Sequence, residues 1–254
     1  MTPRANASLL WPTLVVAIGV LALASLGTWQ MQRLAWKDGL IAQIAARTEG
    51  QPILLAEAVR RMARAEDLEY ARVAIKGRFL AGREAYAWAP AASGPGWHVY
   101  APLETEDGAI LLVNRGFVPE AYRDPATRPE PAGVVRELTG LLRKPEVPSA
   151  FAAETDTARR LWYWRDLDGM ATALLGPARS KALPFFLDAE ASPAPTASQP
   201  RTPQGGTTRL EIPNRHLEYA LTWYGLALTL IGVYVAVLWS RRQATSTPRA
   251  SADI

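Results

Sequence analysis

Two long stretches without charged side chains limit what this chain can fold into. No charged residue lies between Arg4 and Arg33, and none lies between Glu218 and Arg241. At about 1.5 Å per residue, the apolar segments 9–26 and 219–240 reach roughly 27 and 33 Å, close to the hydrocarbon thickness of about 30 Å. Because only a helix satisfies its own backbone across that distance, the sequence predicts two transmembrane helices.

The first apolar stretch has a second interpretation as a cleavable signal peptide. Ala22-Leu23-Ala24 before Ser25 has the small-x-small form of a cleavage site. However, only Arg4 precedes the stretch, which also exceeds the usual ~7–15 apolar residues of a signal peptide. We therefore favour a retained helix.

Two spans place both termini on one side of a membrane and the middle of the chain on the other. We expect a cytoplasmic N-terminus at 1–8, a transmembrane helix at 9–28, a periplasmic domain at 29–212 with a flexible loop at 191–208, an interfacial start and second transmembrane helix at 213–240, and a disordered cytoplasmic tail at 241–254. The Lys and Arg counts beside the spans are nearly balanced, so this orientation has little support from charge. The Arg-rich and Ser-rich pattern of a transit peptide is missing before the first span, which favours a bacterial inner membrane.

Composition excludes several classes of site. The chain has no cysteine, which removes disulfides, thiolate metal sites and covalent haem attachment through CxxCH. Its net charge of +4 comes without aromatic-basic clusters in the domain, so we expect no nucleic-acid partner.

The segment between the spans predicts an α+β domain with a mainly antiparallel sheet and few helices. Helical spacing continues past the first span through 36–47 and returns at 56–65 and 167–175. Short alternating segments separated by turn sequences predict strands at 73–79, 85–89, 98–103, 110–117, 135–142, 162–165 and 185–188.

Catalytic patterns do not stand out in this domain. The nucleophile-elbow, zinc-protease, P-loop and dinucleotide-binding signatures are all missing, so we expect no enzyme. His98 alternates with apolar neighbours and is more simply a packed strand side chain than a catalytic one. Asn114-Arg115-Gly116 ends an apolar strand, where a turn and an Arg–carboxylate pair are the simpler interpretation.

The start of the second span carries the other histidine, His216. At 100° per residue, Trp223 and Tyr219 fall within about 60° of it, and Ala220 and Ala227 share that side. The opposite side carries four small residues, Thr222, Gly225, Thr229 and Gly232. Because such stripes allow close helix–helix contact in lipid, we expect the stripe to face a neighbouring helix and the histidine side to stay free.

The exit of the first span repeats this combination of aromatic and cationic side chains. Trp29, Arg33 and Trp36 share one helical face, and Lys37 flanks it. An aromatic belt with snorkelling cations is the ordinary explanation at a membrane interface. Both spans reach the same side of the membrane, however, and an imidazole, flat aromatic walls and cations together suit the iron, macrocycle and propionates of a haem.

Three motifs resemble the surfeit locus protein 1 family of cytochrome c oxidase assembly factors. They are LGTWQMQRLAWKDGLI after the first span, LLVNRGFVP in the domain and NRHLEYALTWYGLAL at the second span. Phe117 stands where Trp is expected and Arg215 where Asn is frequent.

The resemblance implies a two-span inner-membrane protein that assists insertion of haem a into oxidase subunit I. It implies His216 as the axial ligand of the haem iron, and the haem a synthase, subunit I and membrane lipid as partners. A cofactor-free scaffold that steadies the immature subunit is the alternative. A membrane-tethered hydrolase would need a nucleophile–base pair, which the sequence does not indicate.

Overall fold

The computed structural model describes residues 9–91, 94–128, 135–191, 202–208 and 212–246. Its helices are α1 (Leu10–Glu49), α2 (Leu55–Ala63), α3 (Leu167–Leu175) and α4 (His216–Ser246), and its strands are β1 (Ile53–Leu54), β2 (Arg72–Phe79), β3 (Ala85–Ala91), β4 (Gly94–Thr105), β5 (Ile110–Pro119), β6 (Val135–Arg143), β7 (Leu161–Trp162) and β8 (Ala182–Ala189). These residues divide into two compact units. One contains α1 as far as Gln43 together with α4, and the other runs from Ile44 to the 202–208 segment.

The helical unit contains both predicted spans. α1 and the His216–Gln243 part of α4 are long and apolar enough to cross a membrane, as a two-pass membrane protein requires. The first span and its amphipathic extension form one continuous helix of 40 residues, as the sequence predicted. The predicted tail at 241–254 begins helical, since α4 continues to Ser246, and its remainder lies outside the described residues together with 1–8.

α1 and α4 contact each other along residues spaced three and four apart. On α4 the buried members are Ala220 and Ala227, and on α1 the buried member is Gly27. A Cβ at Gly27 would lie 2.7 Å from the ring of Tyr224, so only glycine admits that ring. The hydroxyl groups of Tyr224 and Thr28 are 3.1 Å apart. Small residues thus let the two helices approach closely, as is typical of helix pairs in lipid.

The prediction of which α4 face holds the neighbouring helix is wrong within the described chain. The histidine side contacts α1 through its two alanines, whereas Thr222 and Thr229 are exposed. No atom would lie within 4 Å of a Cβ at Gly225 or Gly232. Both threonine hydroxyls bond backbone carbonyls of their own helix instead. The alanines form the contact with α1, and the Thr/Gly side has no partner within the described residues.

The second unit is an α+β domain whose sheet closes into a barrel. The sheet order is β1-β2-β6-β8-β5-β4-β3-β7, and an additional β2–β4 pairing joins β2, β6, β8, β5 and β4 into a ring. Five of its eight pairings are antiparallel, the parallel ones being β1–β2, β3–β7 and β5–β8. The predicted mainly antiparallel sheet is therefore confirmed.

Alternation along β8 places its side chains in two of the three hydrophobic clusters of the described residues. In β8, Phe185 and Leu187 join one cluster with α2, while Phe186 between them joins a second cluster under α3. Both faces of this strand are therefore buried, as its apolar run indicates. The predicted strand at 162–165 is shorter than expected, because the Arg165 amide turns to the Glu146 carboxylate, 3.0 Å away.

The 202–208 segment, the end of the predicted flexible loop at 191–208, is bonded to the barrel. Gln204 and Phe117 exchange two backbone hydrogen bonds of 3.0 Å. Gly116 has φ of +117°, and a Cβ there would overlap the Gln204 carbonyl. The glycine of the Asn-Arg-Gly motif therefore permits this close approach. Residues 192–201 lie outside the described residues.

Barrel closure requires glycine at position 77, where β2 pairs with β4. A Cβ there would overlap the Leu103 side chain and lie 2.5 Å from the Glu104 carbonyl oxygen. Gly77→Ala should lower the free energy of unfolding of the domain by about 1–3 kcal/mol through overpacking. Gly39→Ala is the matched control. A Cβ there meets nothing within 4 Å, and alanine favours a helix, so this change should not lower the stability. Denaturant unfolding in detergent, followed by near-ultraviolet circular dichroism, measures both; equal stability of Gly77→Ala and the wild type would contradict this account.

Ala220 tests the helix contact. Ala220→Leu should force α1 and α4 apart, toward the upper end of the about 8–10 Å range of helix separations, because the position is fully buried. Since the chain has no cysteine, spin labels on cysteines introduced at exposed Met31 and Leu217 report the distance by electron–electron resonance. Ala236→Leu, on an exposed α4 position, should leave the distance unchanged. A distance unaffected by Ala220→Leu would contradict the described contact.

Candidate functional site

His216 begins α4 and contacts α1 through a side chain that the sequence did not single out. Its Nδ1 lies 2.6 Å from Oε1 of Gln30, and the imidazole is half-buried. Because an amide oxygen only accepts hydrogen bonds, this pair forms when Nδ1 carries the proton. The other ring nitrogen, Nε2, then keeps its lone pair. In the neutral imidazole, this tautomer leaves Nε2 as the nitrogen that can act as a donor ligand.

The segment before His216 is fixed to α1 by two further contacts. Lys37 donates through Nζ to the carbonyl of Pro213. Asn214 donates through Nδ2 to Asp38 Oδ1 over 2.7 Å. These bonds hold the chain where it enters α4, so the imidazole starts from a defined backbone position.

The predicted aromatic and cationic residues lie on both helices. Trp29 and Trp36 on α1 are each 54% exposed, and Tyr219 on α4 is 52% exposed. The Arg33 guanidinium carbon stands 4.0 Å above the Trp36 ring, so these two residues do share a face. Trp223 is half-buried on the α4 side that contacts α1.

Lys37 and Arg33, the two predicted cations, differ in the partners that they already have. Lys37 is bonded to a backbone carbonyl, which already uses one of its donors. Arg33 makes no ion pair with any acidic side chain in the part of the chain that the structure describes, and it is exposed. Five N–H donors of a guanidinium suit a carboxylate or phosphate group. Arg33 is therefore the better placed of the two for an external anion.

The domain histidine has a packed environment, as the sequence predicted. His98 stands edge-on to Phe117 with ring centroids 6.4 Å apart, and Thr207 Oγ1 lies 3.5 Å from its Nδ1. Burial lowers the pKa of its imidazole, because the charged form loses hydration. A ring packed edge-on against Phe117, with a lowered pKa, indicates a structural side chain.

The Asn-Arg-Gly motif is occupied by internal contacts. Asn114 donates to Asp188 over 2.9 Å, and the same buried carboxylate accepts from Arg143 over 2.9 Å. Arg115 forms an ion pair with Glu84 of 3.4 Å. The motif is a strand segment rather than the expected turn, but the predicted Arg–carboxylate pair is confirmed. Within the described residues, no group of three His, Asp or Glu side chains is arranged to hold a metal ion.

Comparisons with known proteins agree on one family. The model of the SURF1 family matches residues 17–228, which include α1 from its second turn, the whole domain and the first part of α4 with His216. "Surfeit locus protein 1" of Rattus norvegicus is 34% identical over 241 residues, covering 88% of this chain and 72% of the relative.

Two further relatives give the same result. "Surfeit locus protein 1" of Homo sapiens is 32% identical over 258 residues, covering 94% of this chain and 78% of the relative. The "SURF1-like protein" of Monosiga brevicollis is 32% identical over 246 residues, covering 91% and 88%. The chain belongs to the SURF1 family, which is known for cytochrome c oxidase assembly factors and is not by name an enzyme family.

Proposed function

We propose that this protein carries haem a to subunit I of cytochrome c oxidase, holding it through His216 at the end of the α1–α4 pair. The observation that carries the proposal is the 2.6 Å contact between His216 and Gln30. It fixes the proton on Nδ1 and leaves Nε2 able to donate its lone pair to iron. Metal-bound histidines usually have such an acceptor on their second nitrogen.

The surrounding side chains fit a flat, anionic ligand. Trp29, Trp36 and Tyr219 offer exposed aromatic faces to a macrocycle. Arg33, without an acidic partner in the described chain, suits a propionate. Trp223 supplies less surface than predicted, because α1 covers part of its side of α4. Haem would supply an iron with an open axial position, and the chain would supply one imidazole and the walls.

The expected location follows from the same proposal. The domain and the His216 end of the helices would lie on the periplasmic side of a bacterial inner membrane, with both termini in the cytoplasm. Haem a would come from haem a synthase, also in that membrane, and lipid would surround the apolar sides of both helices. Trp29 and Trp36 are then at interface depth, where such residues are enriched.

A cofactor-free scaffold is the second candidate, and one observation favours it. The Thr222–Gly232 side of α4 is exposed along about three turns and has no partner in the described chain. Small residues there would admit a close transmembrane helix of the immature oxidase subunit. In that role the protein would stabilise the subunit, and other proteins would deliver haem.

The test is haem occupancy of the full-length protein, purified in detergent from a host that makes haem a. The wild type should show a Soret band, and His216→Ala should lose it because the axial ligand is gone. His98→Ala is the matched control, since it removes the only other histidine of the chain and should keep the band. Circular dichroism checks that both variants fold.

Two outcomes would contradict the carrier role. Undiminished haem in His216→Ala would exclude that residue as the ligand. A colourless wild type from the same host, still bound to oxidase subunit I, would favour the scaffold instead.

A further inference from the structure

Gln30 is the side chain that determines which nitrogen of His216 is available. It is half-buried on α1, about one turn from Gly27, which is buried against Tyr224 of α4. Its oxygen lies 2.6 Å from Nδ1 of the ring, just below the ordinary N–H···O range of about 2.7–3.2 Å. A solvated imidazole exchanges between two tautomers, whereas this contact selects one of them.

We infer that Gln30 is a positioning residue for haem: it holds the His216 ring in the orientation and tautomer that present Nε2 to iron. The inference rests on the proposed function and deepens it, because the residue that contacts His216 gains a role of its own in how tightly haem is held. Gln30 would touch neither the iron nor the macrocycle, and would act only through the imidazole.

The choice of an amide has a chemical consequence. In many metal sites the second imidazole nitrogen donates to a carboxylate, which raises the basicity of the ligating nitrogen. A neutral amide accepts the same hydrogen bond with less charge, so it orients the ring while strengthening the iron bond less. It also places no ionised group among apolar helices, where a charge is costly. Gln30 would therefore orient the ligand while strengthening the iron bond less than a carboxylate would.

The first experiment needs no haem. Histidine-selective ¹⁵N labelling of the full chain gives signals from two residues only, His98 and His216. At a pH well above the imidazole range, wild-type His216 should show mainly the tautomer with the proton on Nδ1. Gln30→Leu removes the acceptor at similar size and should shift the tautomer population. Gln32→Leu, the same change on an exposed α1 position, should not.

The second experiment measures haem a itself. Gln30→Leu should weaken its binding by about 10–100-fold, the usual loss when such an orienting partner is removed. Gln30→Glu keeps an acceptor, so it should retain haem and lower the reduction potential of the iron, because a carboxylate makes the imidazole more basic. Gln32→Leu should match the wild type in affinity and potential.

The outcomes separate this inference from the proposed function. Haem bound by the wild type, with unchanged tautomer or unchanged affinity in Gln30→Leu, would overturn the role of Gln30 alone. An unshifted potential in Gln30→Glu, measured at a pH high enough to ionise the introduced carboxyl group, would do the same, since a residue that merely supports the fold would not alter it. No haem on the wild type would overturn the proposed function. The ¹⁵N signals would then still test, without haem, whether Gln30 selects the tautomer of His216.

Discussion

The close approach of α1 and α4 is the constraint on which the candidate site depends. Apolar side chains gain little from leaving lipid for another helix, so contact between spans relies on shape and hydrogen bonds. Gly27 and Ala220 supply the shape, because neither holds the backbones apart. At this separation Gln30 reaches His216 directly. A larger residue at either small position would remove the orienting bond without touching the histidine.

In the domain, polar side chains are bonded to one another and are not left open to a ligand. Its buried charges are paired with one another, as with Asp188, which accepts hydrogen bonds from Asn114, Arg143 and Thr208. Because these donors are already bonded to Asp188, few protons in its surroundings are left for a ligand. The Asn-Arg-Gly motif is therefore explained by the barrel and needs no chemistry of its own. In the helical unit, by contrast, His216 contacts Gln30 through Nδ1 alone, and Arg33 stacks on Trp36 without an acidic partner in the described chain.

Patterns of period two and of helical spacing predicted most elements within a few residues, because burial of alternate side chains leaves a direct trace in the sequence. Barrel closure leaves no such trace in the sequence. It depends on β2 pairing with β4 at Gly77, and a glycine in a strand does not indicate which strand lies beside it. The prediction that the Thr/Gly stripe contacts the neighbouring helix was wrong because alanine and glycine allow close contact equally well. Composition does not indicate which of the two sides of α4 faces α1. Gln30 escaped notice since an uncharged amide is unremarkable until its partner, 186 residues away, is beside it.

The carrier and the scaffold use different sides of α4, which makes them compatible in one molecule. His216 and Gln30 lie where α4 contacts α1, whereas Thr222 and Gly225 lie on the exposed side. A helix of the oxidase subunit could therefore dock on the small-residue side while haem remains at the end of the pair. Transfer then requires only that the imidazole bond be weaker than the ligation offered by the acceptor. In the proposed carrier role a neutral amide favours transfer more than a carboxylate would, because the hydrogen bond that orients the imidazole adds less to its basicity.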